Sequence, residues 1–149
     1  MLIYDKWDLR FIKLAEHVSE WSKDPSTKVG AIIAKDKKVV SLGYNGFPIH
    51  IADTEERLSI REVKLAYTIH AEINAILSTE KSLQGCTLYT WPFMPCARCA
   101  CQIIQSGIVR VVSLVSDNKL WEESFDKSKS LFKEARVTLC LLDGYGKNT

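Results

Sequence analysis

The run Val109–Val115 constrains the fold more than any other feature of this sequence, because it is rich in β-branched residues. Such runs are typical of strands that are buried on both faces of a sheet. Helical patterns flank the run: Cys96–Ser106 precedes it and ends at Gly107, and another helix is predicted over about 121–134. The sequence therefore predicts a sheet whose later strands are parallel and are joined by right-handed helical crossovers.

The remaining segments predict how this sheet begins and ends. The other predicted elements are a helix over 5–21, an antiparallel hairpin of Val29–Ala34 and Lys38–Tyr44, a helix from about His70, and strands over Cys86–Trp91 and Val137–Leu142. The order α-β-β-α-β-α-β-α-β predicts an α/β fold with a five-stranded mixed sheet flanked by helices. Residues 47–62 lack clear periodicity and form either a functional loop or a short helix; we favour a substrate-facing loop.

Length and charge restrict the class of protein. With 149 residues and no linker-like stretch, the chain is expected to form a single domain over residues 1–149. A net charge of +2 is far from the basic balance of a polynucleotide-binding protein, but it is compatible with a small anionic substrate. No apolar run approaches the roughly 20 residues that cross a bilayer, and the charged N-terminus is unlike a signal peptide. We therefore expect no membrane association and a cytoplasmic location.

The histidines and cysteines predict a metal site. Five cysteines form an odd set, which in a reducing compartment points to metal binding or catalysis rather than disulfides. Cys96 and Cys99 share one face at the start of a predicted helix, where the helix dipole favours thiolates, and His70 begins another helix. A catalytic zinc site has three protein ligands and leaves a fourth position to water, so these residues predict catalytic Zn²⁺. The alternatives are a redox or structural cysteine pair and a hydrogen-bonded core histidine.

The other three cysteines are expected to be small core residues: Cys86, Cys101 and Cys140.

Glu72 lies two residues after His70, near enough to reach a water molecule on the metal. A nearby carboxylate can take a proton from this water and return it to the substrate and to the leaving group. We therefore expect Glu72 to be the catalytic acid and base, although on its own it would suggest a solvated acid at a helix start.

His70-Ala71-Glu72 and Pro95-Cys96-Ala97-Arg98-Cys99 match the two-part H-x-E…P-C-x-x-C signature of zinc-dependent nucleobase deaminases. Ser22–Ala31, Gly43–Pro48 and Ile103–Ile108 extend a resemblance to the deoxycytidylate (dCMP) deaminase family over most of the chain. The resemblance implies a three-layer α/β/α cytidine-deaminase-like fold. It also implies hydrolytic deamination of dCMP to dUMP, with release of ammonia, in a step that feeds thymidylate synthesis.

The same resemblance implies the substrate contacts. Asn45 would bind the deoxyribose, the Ala71 backbone would bind the cytosine edge, and Ser22 and Lys23 would lie near the 5′-phosphate. A buried phosphate needs a cationic partner, although Lys23 is equally typical of solvated surface charge. A homo-oligomer, commonly a hexamer, and regulation by dCTP and dTTP, with Mg²⁺ bound to the nucleotide effector, are further implications.

Three segments depart from the family pattern. Trp21 stands where many relatives have Arg, so the phosphate contact is weaker, is shifted to Lys23 or comes from another residue. Ile49–Asp53 lacks the small and cysteine residues of relatives that bind a second zinc, so one zinc per chain is expected. Trp91–Met94 is bulky and apolar and forms either a wall of the base pocket or part of the core.

Two other functions stay open. The first is a deaminase of the same fold that acts on tRNA adenosine, guanine or free cytidine; the interspersed acids and bases argue against tRNA. The second is a non-catalytic zinc-binding module, which would need neither Glu72 nor an open metal position.

Overall fold

The computed structural model describes residues 4–143, and the ends of the predicted single domain, 1–3 and 144–149, lie outside that range. Within it, a five-stranded mixed sheet is flanked by helices, which confirms the predicted α/β fold. The elements are α1 Lys6–Ser19, β1 Gly30–Lys35, β2 Lys38–Tyr44, α2 Glu55–Ser59, α3 Arg61–Tyr67, α4 Ala71–Leu77, β3 Thr87–Trp91, α5 Ala97–Ser106, β4 Arg110–Leu114, α6 Glu122–Glu134 and β5 Thr138–Leu142.

The sheet has the strand order β2-β1-β3-β4-β5. β1 pairs antiparallel with β2 and with β3, whereas β3, β4 and β5 run parallel, so both the hairpin and the parallel crossovers are confirmed. Asp36 and Lys37, with φ of 52° and 65°, form the tight turn of the hairpin. Gly107, with φ of 94°, ends α5 as predicted. Since α5 follows β3 directly, its first turn lies at the carboxyl edge of the parallel strands.

Helix α1 covers one face of the sheet. Ile12, Ala15 and Val18 lie at helical spacing and are fully buried against a cluster that includes Ile32 of β1. Gly30 allows this close contact, because a Cβ atom there would lie 1.9 Å from the carbonyl oxygen of Ala15. The backbone of α1 therefore approaches β1 more closely than any side chain would permit.

Helices α4, α5 and α6 cover the opposite face. They contribute small and large apolar side chains to a second buried cluster: Ala71 and Ala75 from α4, Ala100 and Ile103 from α5, and Phe132 from α6. These side chains meet Ile33 of β1, Leu88 of β3 and Val111 of β4. The helices on both faces give the three layers that the resemblance implies.

A buried charged cluster joins α1 to β3 and β4. Arg110 donates two hydrogen bonds to the Asp8 carboxylate, over 2.8 and 2.9 Å, and the Tyr89 hydroxyl donates a third over 2.7 Å. Burial favours the neutral form of Asp8, but the hydrogen bonds from Arg110 and Tyr89 outweigh burial and lower the pKa of this carboxyl. The cluster links the first helix to the centre of the sheet.

Two predictions about local structure are wrong. Residues 47–62 are not a loop throughout, because α2 lies within them and α3 begins at Arg61. These short helices cannot be predicted from hydrophobic periodicity, because apolar residues such as Ile60 and Leu65 are exposed and no amphipathic pattern arises. Cys101 is exposed rather than part of the core, whereas Cys86 and Cys140 are buried as predicted.

In the described part of the chain, no helix combines the length and apolarity that crossing a membrane requires.

Candidate active site

The N-termini of α4 and α5 meet beside the sheet. His70 is the N-cap of α4, Cys96 is the N-cap of α5, and Cys99 lies in the first turn of α5. The Sγ atoms of Cys96 and Cys99 are 3.5 and 3.3 Å from His70 Nδ1, and the three donor atoms all lie within 4.8 Å of one another. The fold thus brings together the three residues that the sequence nominates as metal ligands.

Within this cluster, Cys96 is the group whose ionised form is favoured. A hydrogen bond from the Cys99 thiol, with a smaller contribution from His70, lowers the pKa of Cys96 to about 4. The pKa of Cys99 is raised, by the same hydrogen bond and by burial, and the hydrogen bond to Cys96 raises the pKa of His70. One imidazole nitrogen and two sulfurs in this arrangement fit Zn²⁺, which would convert both thiols to thiolates.

Glu72 lies beside this cluster, in the first turn of α4. Its side chain is buried, and burial is the main reason why the pKa of its carboxyl is raised; the charge of His70 opposes the shift. Glu72 also borders a cleft of about 300 Å³ that reaches His70 and Cys96. A carboxyl with a raised pKa at this place can exchange protons with a molecule in the cleft.

The cleft has three walls. The first wall belongs to α4 and the metal-ligand cluster, and the second is aromatic, with Phe93, Trp121 and Phe125. Phe93 contacts both Trp121 and Phe125, at ring-centre distances of 6.5 and 5.7 Å. The third wall consists of α3 and the residues that follow α1: Asp24, Ser26, Thr27, Arg61, Lys64, Leu65 and Thr68. The segment Trp91–Met94 is predicted to form either a wall of the base pocket or part of the core, and it does both: Phe93 lines the cleft and Met94 lies in the core.

Two of the predicted substrate contacts border this cleft. Ala71 is the first residue of α4, so its backbone N–H has no partner within the helix. Asn45 uses its side-chain amide to join two backbone groups: Oδ1 accepts from Val29 N–H over 2.9 Å, and Nδ2 donates to the Thr27 carbonyl over 2.9 Å. Asn45 therefore holds the entry to β1 as well as bordering the cleft.

The other two predicted substrate contacts do not border the cleft. The Ser22 hydroxyl is buried and donates to the Asn45 carbonyl over 2.8 Å. Lys23 is 69% exposed and pairs with Asp53 at 3.2 Å. Trp21, the departure from the family pattern, packs edge-on against His17 and Tyr44 instead of bordering the cleft. The Ser22 hydroxyl is therefore engaged in a hydrogen bond with the backbone, and Lys23 faces solvent.

Sequence reasoning missed the cleft residues of α3 and of its C-cap, Thr68. Arg61, Lys64, Leu65 and Thr68 all border the cleft. Their spacing of i, i+3, i+4 and i+7 places them on one helix face, which is the signal that could have revealed them. The signal is weak because this face mixes two cations, one apolar side chain and a hydroxyl.

A mixed sheet with a His–Cys–Cys cluster at two helix N-termini and a buried carboxyl beside it defines the class of zinc-dependent deaminases. Residues 5–115 match the family model of the cytidine and deoxycytidylate deaminase zinc-binding region, and the chain belongs to this family. The predicted family resemblance is therefore confirmed, and a zinc cofactor agrees with it.

Individual relatives give the same result. An uncharacterized deaminase in the luxG 3′ region of Aliivibrio fischeri is 43% identical over 143 residues, which cover 92% of this chain and 94% of that protein. The deoxycytidylate deaminase of Mus musculus is 37% identical over 145 residues, which cover 91% of this chain and 79% of the mouse protein. The crystal structure of apo dCMP deaminase from the cyanophage S-TIM5 superposes with a TM-score of 0.74 at 22% identity, covering 94% of this chain and 100% of that chain, and this likeness concerns the fold.

Proposed function

We propose that the protein catalyses the zinc-dependent hydrolytic deamination of dCMP to dUMP, with release of ammonia, and thereby feeds thymidylate synthesis. The observation that carries the proposal is the buried Glu72 carboxyl beside the His70, Cys96 and Cys99 donor atoms, at a cleft that Glu72, His70 and Cys96 border. The choice of substrate is supported by relatives, since the similar mouse protein is named deoxycytidylate deaminase.

In this proposal, Glu72 moves the protons of the reaction. As the water oxygen bonds to C4 of cytosine, Glu72 accepts a proton from the water and passes it to ring nitrogen N3. It then accepts the hydroxyl proton at C4 and delivers it to the amino group, so that the C–N bond breaks and ammonia leaves. The raised pKa of Glu72 suits a carboxyl that must hold a proton between these transfers. Zinc, held by His70, Cys96 and Cys99 at one ion per chain, acidifies the attacking water when it is bound.

Backbone and side-chain groups of the cleft orient the substrate. We assign the Ala71 N–H to the edge of cytosine, because this donor lies at the start of α4 next to Glu72. We assign Asn45 to the deoxyribose, since its Nδ2 carries a second hydrogen besides the one donated to Thr27. The aromatic wall of Phe93, Trp121 and Phe125 excludes water from the base.

An activity assay with five substrates tests this function. Purified protein with zinc is incubated separately with dCMP, CMP, deoxycytidine, dCTP and a single-stranded oligonucleotide, and ammonia release is measured. We expect the highest kcat/KM with dCMP. A higher value with the oligonucleotide or with deoxycytidine would contradict the assignment of dCMP, and absence of any turnover with stoichiometric zinc would favour the non-catalytic module.

Assembly, regulation and location remain predictions from the family resemblance and the thiol content. We propose a homo-oligomer, with a hexamer as the expected form, and regulation by dCTP and dTTP, with Mg²⁺ bound to the effector. The described cysteines are all free thiols, which suits the reducing cytoplasm. Light scattering with and without dCTP and Mg²⁺ measures assembly, and the dCMP saturation curve with each effector measures regulation.

A further inference from the structure

The charged side chains that border the cleft are unevenly distributed. Lys64 and Asp24 pair at 3.2 Å with only 10% of each side chain exposed, so their charges largely cancel. Glu72 borders the cleft close to His70. Arg61, the first residue of α3, is the remaining Lys or Arg of the lining, and its guanidinium group makes no hydrogen bond or ion pair with any residue between 4 and 143.

Lys64 fixes the orientation of α3 in this wall. Its ammonium group donates to Asp24 Oδ1 over 3.2 Å and to the Ser26 hydroxyl over 3.1 Å. Arg61 lies one helical turn before Lys64, on the same face of α3. The pair between Lys64 and Asp24 therefore holds the Arg61 side of the helix against the residues that follow α1.

One carboxylate oxygen of Asp24, Oδ1, is occupied by donors from the chain itself. It also accepts from the N–H groups of Ser26 and Thr27, over 2.8 and 3.0 Å. Burial favours the neutral carboxyl, but these hydrogen bonds and Lys64 outweigh it and lower the pKa of Asp24. An anion that enters the cleft beside α3 consequently meets the cation of Arg61 and a carboxylate whose charge is paired with Lys64.

We infer that Arg61 binds the 5′-phosphate and makes the enzyme select a nucleoside monophosphate over the nucleoside; this inference rests on the proposed function. A guanidinium group offers paired N–H donors that match phosphate oxygens, and it remains charged at all physiological pH values. In the proposed function, Glu72 and the Ala71 N–H act on the base, and Arg61 supplies the positive charge that the phosphate of the substrate requires. Lys23, by contrast, lies outside the cleft lining and pairs with Asp53 at the surface.

Substrate pairs that differ only in the phosphate test this inference. The kcat and KM for dCMP and deoxycytidine are measured for wild type, Arg61→Ala and Arg61→Lys, all loaded with zinc. Calorimetric binding of dUMP and deoxyuridine gives a second readout that does not depend on turnover. The matched control is Arg57→Ala, because Arg57 lies on α2 outside the cleft lining and bonds to the Ala52 carbonyl. Lys23→Ala tests the rival assignment of the phosphate contact.

Loss of a charge-assisted hydrogen-bonded contact predicts that Arg61→Ala weakens dCMP kcat/KM and dUMP binding by about 10- to 100-fold. Deoxycytidine and deoxyuridine should change less than about twofold, Arg61→Lys should recover part of the loss, and Arg57→Ala should behave as wild type. Equal losses for both members of each pair, no loss at all, or a phosphate-specific loss in Lys23→Ala would overturn the inference. If wild type does not turn over dCMP, the proposed function fails, while the dUMP and deoxyuridine affinities still decide the role of Arg61.

Discussion

At the scale of single residues, Glu72 offers the most direct test of the chemistry. Glu72→Gln keeps the size of the side chain but removes its proton acceptor, so we expect kcat to fall by about 10²- to 10⁴-fold. Zinc content should stay unchanged, because Glu72 does not belong to the donor cluster. Ammonia release and atomic absorption measure the two quantities. Glu62→Gln is the matched control, since Glu62 is an exposed acid in the first turn of α3. Wild-type turnover in Glu72→Gln would remove it as the proton carrier.

The metal site allows a comparison of two cysteines on neighbouring turns. Cys96→Ser should lose zinc on dialysis, whereas Cys101→Ser should keep about one ion per chain, because Cys101 is exposed and lies outside the donor cluster. Serine is a favourable N-cap residue, so Cys96→Ser should still fold. Metal analysis with circular dichroism of both variants measures the outcome. Equal zinc contents in the two folded variants would contradict the ligand assignment.

The metal ligands and the phosphate contact differ in how far the sequence reveals them. His70, Cys96 and Cys99 can be nominated from the sequence, because ligand chemistry and helix-start positions are local properties of two short segments. Arg61 cannot be found in that way, since its role depends on which face of α3 borders the cleft. Lys23 looks equally suitable in sequence, and only the structure shows that it lies outside the cleft lining, where it pairs with Asp53.

At the scale of elements, the packing of α1 on β1 depends on the absence of a side chain. Gly30→Ala would place a Cβ atom 1.9 Å from the carbonyl oxygen of Ala15, so the helix must move. We expect a loss of about 3 kcal/mol in the free energy of unfolding. Gly46→Ala is the control, because a Cβ atom there has no neighbour within 4 Å. Urea unfolding measures both variants, and equal stabilities would contradict this account of the α1 contact.

Helices and strands can be predicted from the sequence where the element is buried on both faces, or where buried and exposed side chains alternate regularly along it. The β1–β2 hairpin, the parallel strands and the helices between them belong to this group. The short helices α2 and α3 do not, because α2 has no buried residue and α3 buries only Lys64. A segment that forms a cleft wall keeps part of its surface exposed, so its pattern reflects the site more than the core.

At the scale of the whole molecule, Asp8 ties the N-terminal helix to the middle of the sheet through Arg110 and Tyr89. The pKa of Asp8 is lowered from its ordinary value of 3.8 in the folded protein, so the unfolded chain binds more protons in acid. Stability from this group is therefore complete above that ordinary value and is lost as the pH falls through the folded pKa. The same sign applies to Asp24, whose pKa is also lowered.

Asp8→Asn should therefore destabilise the protein by about 2 kcal/mol at pH 7, because Arg110 loses a charged partner. The difference in unfolding free energy between wild type and Asp8→Asn should shrink as the pH falls from 5 towards 3, because wild-type Asp8 then binds a proton more readily in the unfolded chain than in the folded protein. Urea unfolding at several pH values measures this difference, and acid release of zinc acts on both proteins alike. Asp126→Asn, at an exposed position of α6, should follow wild type throughout. A difference between wild type and Asp8→Asn that stays constant down to pH 3 would show that the ionised carboxylate of Asp8 is not what binds α1 to the sheet.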